Sequence, residues 1–274
     1  MKRLTVTGIA ATLVACQFGV SEAAHAVDIS PHRAIYSMVL DHAQTASGIV
    51  GADGKMTFAW ADACTGWTVE QRYELRLQYA EQDDSLMTVN FVTWESMDGL
   101  HYRFNVRKTR EGEADEELKG TGDMPQAKHV STHGTDAGSA KFVKPDGTEL
   151  PLRDGTLFPT GHTIALIEAA MNGATILSKP VFDGCTVEKP YDVTASIGKV
   201  HGPDAKETNP LLKHRWWPMR LAFFPTDDDS STPDYELGMS LQDNGVARDM
   251  TLDYGQFVVR AKLDHIEPLT KPGC

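Results

Sequence analysis

Trp67-Thr68-Val69-Glu70-Gln71-Arg72-Tyr73-Glu74-Leu75-Arg76-Leu77-Gln78-Tyr79 decides the fold class. From Trp67 onward every second residue is large and mostly apolar, and the residues between are all polar. Side chains alternate across a strand, so this period of two describes one face in a core and the other in water. The same alternation returns in Tyr102-Phe104-Val106, Met219-Leu221-Phe223 and Leu237-Met239-Leu241. Turn chemistry separates these runs: Ala52-Asp53-Gly54, Met97-Asp98-Gly99, Pro145-Asp146-Gly147 and Asp243-Asn244-Gly245 each set Asp or Asn before a glycine. Strands at short spacing with such turns predict an antiparallel barrel, sandwich or wrapped sheet, not a parallel α/β fold.

One segment keeps a different period. After Phe158-Pro159, Thr160 is placed to cap a helix over Gly161 to Met171, with Ile164, Ile167, Ala170 and Met171 on one face and Asn172-Gly173 as the stop. Its expected role is to plug or flank a curved sheet. Two polar stretches read as flexible: Arg110 to Gln126, with five acidic residues from Glu111 to Glu117, and Thr226 to Pro233, which holds Asp227-Asp228-Asp229. Strand-like sequence resumes at once on both sides of each, so residues 27–274 are expected to form a single domain.

The first 26 residues read as a secretory signal peptide. Lys2 and Arg3 form a cationic head, Leu4 to Ala15 is largely apolar, and Ala24-His25-Ala26 offers small residues for cleavage. Leu13-Val14-Ala15-Cys16 also fits a lipobox, in which Cys16 would be acylated and become the anchored N-terminus. Either route predicts an oxidising compartment. The net charge of −12 repels phosphate backbones and excludes nucleic acid as the expected partner. No later stretch reaches the roughly 18 apolar residues a membrane helix needs. Cys64, Cys185 and Cys274 remain for disulfide chemistry. An odd number means one bridge and one free thiol or an intermolecular pair, and the sequence leaves all three pairings open.

No motif carries a reaction. His129 and His133 stand four apart, but in loop- or strand-like surroundings that spacing does not align two ligands. His162 and Glu168 fall on different faces of the expected helix. Asp227-Asp228-Asp229 lacks the alternation, glycine and distal Glu of a calcium loop. Ser240 has Gly238 before it but Gln242 after it, so no nucleophile elbow forms. Cys185, in Asp183-Gly184-Cys185-Thr186, has no base or cation beside it in sequence. Trp216-Trp217-Pro218 is expected to pack in the core at the start of a strand. The sequence therefore marks no catalytic, cofactor or metal site.

Several ordered blocks resemble a known family. Ser30-Pro31-His32-Arg33-Ala34-Ile35-Tyr36 opens the mature chain, and Cys64-Thr65-Gly66-Trp67, Thr93-Trp94-Glu95 and Tyr102-Arg103-Phe104 follow. Leu157-Phe158-Pro159-Thr160-Gly161-His162 and Val181-Phe182-Asp183-Gly184 lie in the middle. Asn244-Gly245-Val246-Ala247-Arg248 and Leu252-Asp253-Tyr254-Gly255 come near the end. In this order they resemble the EipB-like family of periplasmic cell-envelope integrity proteins, formerly a domain of unknown function. The resemblance implies a β-spiral, a broken antiparallel barrel around one central α-helix, similar in outline to periplasmic lipoprotein carriers. It also implies a disulfide between Cys64 and Cys274. Such a bridge closes a loop of about 210 residues and is valued at roughly 5 kcal/mol as an upper figure. Cys185 has no counterpart in the family pattern.

The resemblance implies no catalytic residue. The function expected from it is non-enzymatic support of envelope integrity through a protein partner, such as a periplasmic tetratricopeptide-repeat protein. The alternative is a carrier or chaperone that holds an acyl chain or lipoprotein in the open barrel. A hydrolase of envelope polymers would need two carboxylates on one face of a cleft, and no motif marks such a pair.

Overall fold

The computed structural model describes residues 27–126, 136–187, 190–226 and 231–274. Its strands run β1 His32–Ala43, β2 Ile49–Asp62, β3 Gly66–Tyr79, β4 Ser85–Ser96, β5 His101–Arg110, β6 Glu116–Asp123, β7 Asp136–Lys144 and β8 Glu149–Arg153. The helix α1 Pro159–Met171 follows, and then β9 Ile176–Val181, β10 Tyr191–Ile197, β11 Trp216–Pro225, β12 Tyr235–Gln242, β13 Ala247–Asp253 and β14 Phe257–Pro268.

All fourteen strands form one antiparallel sheet in the order β8-β7-β6-β5-β4-β3-β2-β1-β14-β13-β12-β11-β10-β9. The first and last strands thus pair in its middle, and its two edges, β8 and β9, flank the helix in sequence. The sheet curls into a nearly closed barrel with one seam. There, Leu157 N–H donates to Pro180 O at 2.9 Å and Phe182 N–H donates to Leu157 O at 3.0 Å. Inward residues make three apolar clusters: α1 with β9–β12, β1–β3 with β14, and β4–β8 with Phe158 and Phe182.

The alternating runs point as their period requires. Leu75 and Leu77 are buried between exposed Glu74 and Arg76, and Tyr102, Phe104 and Val106 are all buried. Met97-Asp98-Gly99, Pro145-Asp146-Gly147 and Asp243-Asn244-Gly245 are turns. Three expectations are corrected. Ala52-Asp53-Gly54 is not a turn but lies inside β2, with Gly54 opposite Leu75. A Cβ on Gly54 would sit 2.2 Å from Glu74 O, so the glycine serves close strand approach and not a bend. The stretch from Arg110 to Gln126 contains β6, which pairs with β5 from Lys108↔Glu116 to His101↔Asp123. Its inward positions are Leu118, Gly120 and Gly122, and two glycines erase the apolar signal. Finally, α1 begins two residues earlier than expected: Phe158 is the N-cap residue, Pro159 is the first helical residue, and no side chain of the segment itself caps it.

The signal segment with Cys16, the pair His129 and His133, and Asp227-Asp228-Asp229 lie outside the described residues. Among the described residues, no helix is long and apolar enough to cross a membrane.

Candidate functional site

The barrel has two unlike ends. At one, which holds the β2–β3 and β4–β5 turns, α1 fills the interior. A helix start leaves backbone N–H groups without partners. Here Glu95, the penultimate residue of β4, supplies them: its carboxylate accepts Thr160 N–H at 2.8 Å and Gly161 N–H at 2.7 Å. This pairing replaces the expected Thr160 cap. The anion meets the positive end of the helix dipole, yet Glu95 is only 2% exposed. Burial therefore outweighs the two hydrogen bonds and pushes its pKa up to about 7. His162, one turn into the helix, is buried with Nε2 unpartnered, and burial lowers its pKa to about 4. Glu168 lies on the other face, exposed. Phe158 stacks on Tyr102 at 4.8 Å, and a Cβ on Gly122 would come within 2.7 Å of the Phe158 ring. The inward glycine of β6 is the space that ring occupies.

At the other end the interior is lined but not filled. Tyr73 and Phe91, from β3 and β4, face Tyr235 and Leu237 of β12 and Tyr254 and Phe257 at the β13–β14 turn. All six are half-buried. Tyr73 and Tyr254 interact through their hydroxyls across this space, and Tyr235 stacks on Phe223 at 4.1 Å. The loop after β9 adds Asp183 and Cys185, both close enough to Tyr235 to act on its hydroxyl. Burial drives the hydroxyls of Tyr73, Tyr235 and Tyr254, the Cys185 thiol and the Asp183 carboxyl toward their neutral forms. Yet every one of these residues keeps solvent-accessible surface. Groups enclosed by protein and still touched by water mark this end of the barrel as partly open. At its rim, Arg110 donates to Tyr79 Oη at 3.1 Å and Lys108 donates to Cys185 O at 2.7 Å.

This arrangement suits an apolar ligand with a few polar atoms. Glu95 commits both oxygens to the helix, the Cys185 thiol is held protonated, and no three His, Cys, Asp or Glu residues converge among those described. Of the residues singled out from sequence, Cys64 and Cys274 meet with Cα atoms 5.9 Å apart, within disulfide reach, beside the filled end. Cys185 lies apart from them as a free cysteine, and the cation missing from its sequence neighbourhood is supplied by Lys108 of β5. Trp217 is core, as expected, whereas Trp216 points to the outer face. Sequence reasoning missed Glu95, Tyr235 and Tyr254. The first bonds a helix 65 residues away, and no local pattern marks it.

A family model described as EipB-like matches residues 23–270. The chain belongs to the EipB-like family. The matched region takes in all fourteen strands and α1 and stops short of Cys274. Cell envelope integrity protein EipB of Brucella abortus is 32% identical over 266 residues, which cover 93% of this chain and 91% of the relative. A crystal structure of a beta-barrel-like protein of domain of unknown function DUF1849, also from Brucella abortus, superposes with a TM-score of 0.79 at 31% identity. It covers 89% of this chain and 100% of its own. The EipB-like fold is thus shared across nearly the whole length, and an envelope-integrity role comes with the family.

Proposed function

We propose that this chain is a non-enzymatic periplasmic factor that supports envelope integrity by holding an apolar chain, such as the acyl chain of a lipid or lipoprotein, in the open end of its barrel. One observation carries the reading: one end of the interior is filled by a helix, while the other presents large half-buried side chains and is partly open. Aromatic side chains with a polar tip favour such a place, since they offer apolar area to the ligand and a hydroxyl to water. Residues 1–26 would deliver the chain to the periplasm, where Cys64 and Cys274 would be oxidised to a bridge.

The test is binding of N-phenyl-1-naphthylamine by the oxidised mature protein, with mass spectrometry of the lipid extract from protein purified out of its native envelope. Saturable dye fluorescence, displaced by a long-chain fatty acid and lost in Leu237→Arg, is the expected result. No dye binding and no co-purified lipid would overturn it. Capture of a periplasmic tetratricopeptide-repeat protein by lipid-free material would then favour protein docking.

A further inference from the structure

Outside the barrel lies a second recess that owes nothing to the interior. The segment from Lys199 to Arg215, between β10 and β11, runs beside β12–β14 and walls a groove of about 450 Å³, which adjoins another of about 410 Å³. Arg248 and Asp249 line both, so the two form one elongated depression. Each volume falls within the roughly 300–1,000 Å³ of small-molecule sites.

We propose that this groove binds a neutral oligosaccharide, one sugar ring packed on Trp216 and the hydroxyls further along the chain shared between Asp249 and the cations Arg248 and Lys262. Trp216 is half-buried, on the outward register of β11, and the His201 ring lies parallel to it at 4.2 Å. Two backbone hydrogen bonds, His201 N–H to Trp216 O at 2.8 Å and Trp216 N–H to His201 O at 3.0 Å, hold that pair as a preset platform. Such an aromatic plate packs against the C–H face of a sugar ring.

The polar groups choose the ligand class. Asp249 and Lys262 stand directly opposite on β13 and β14, both exposed, and neither closes an ion pair among the described residues. Arg248 is only loosely held, 3.9 Å from Glu207. An anionic ligand would meet Asp249 and Asp204, and a cationic one would meet Arg248, Arg260 and Lys262. A hydroxyl both donates and accepts, so a polyol satisfies carboxylate and cation together, through charge-assisted hydrogen bonds. The length of the groove beyond one ring selects an oligomer.

The experiment is isothermal titration of the oxidised mature protein with chitotetraose and with maltotetraose, alongside inorganic phosphate and glycylglycine. At least one sugar is expected to saturate with Kd below about 1 mM, and Trp216→Ala and Asp249→Asn are each expected to weaken it about tenfold or more. Tyr235→Ala, inside the barrel, is expected to leave it unchanged. Circular dichroism confirms folding, and Trp216→Phe replaces the alanine variant if that one does not fold. The proposal is overturned if neither sugar saturates, if Asp249→Asn binds as wild type, or if phosphate or glycylglycine binds more tightly than both sugars.

Discussion

The two ends of the barrel are built from the same strands and the same alternation, yet one is solid and the other hollow. At the solid end the large inward groups are packed: Phe158 meets Tyr102, Glu95 meets the start of α1, and Leu166 and Ile167 meet the core of β9–β12. At the hollow end, Tyr73, Phe91, Tyr235 and Tyr254 are inward but half-buried. The solid end holds the helix and the other does not. The helix packs into the cluster of β9–β12 and does not reach the aromatic residues at the opposite end.

Four measurements separate the two ends. The largest effect belongs to the cysteine pair beside the solid end. Reduction, or Cys274→Ala, is expected to cost up to roughly 5 kcal/mol in denaturant unfolding, while leaving dye binding at the hollow end intact. Loss of dye binding with the bridge would show that the two ends are not independent. Next, Phe158→Ala should cost about 3–5 kcal/mol, as truncation of a fully buried aromatic does. An unchanged unfolding midpoint would mean that the helix end is not packed.

The third test uses pH. Glu95 has its folded pKa raised from 4.5 to about 7, so the stability it contributes is present below 4.5 and lost as pH rises through 7. His162 is lowered from 6.5 to about 4, so its contribution is present above 6.5 and lost as pH falls through 4. The buried His32, also lowered, acts with the sign of His162. In the native protein these slopes oppose each other between pH 4.5 and 6.5. Glu95→Gln should expose a stability that rises with pH, and His162→Leu should tilt the profile the other way. The changes are on the order of 1–3 kcal/mol across the window, read from urea unfolding at stepped pH. Parallel profiles for the two variants would refute the assignment.

The smallest effect is at the hollow end. Tyr235→Ala should cost less than Phe158→Ala, because Tyr235 keeps accessible surface where Phe158 has none, and yet should weaken dye binding. A loss as large as that of Phe158→Ala would mean that the end is as full as its counterpart.

The barrel was legible where one face of a strand meets core and the other meets water, as in Trp67 to Tyr79. It was illegible at β6, where Gly120 and Gly122 occupy the inward positions and the apolar partner, Phe158, comes from elsewhere in the chain. Asp53-Gly54 misled for a related reason: the chemistry that permits a turn also permits two backbones to approach closely. The hollow end left no trace in the sequence. Alternation tells which side chains point inward, but not whether anything waits there to meet them.

The strand order also sets a timetable. β1 and β14 are neighbours at the centre of the sheet, and β8 and β9, consecutive in the chain, are its far edges. Each half can zip strand by strand as a meander, but the middle must wait for the final strand, and with it the meeting of Cys64 and Cys274. A chain that emerges N-terminus first during synthesis therefore stays an open ribbon until nearly all of it is made. It becomes a barrel only at the last step.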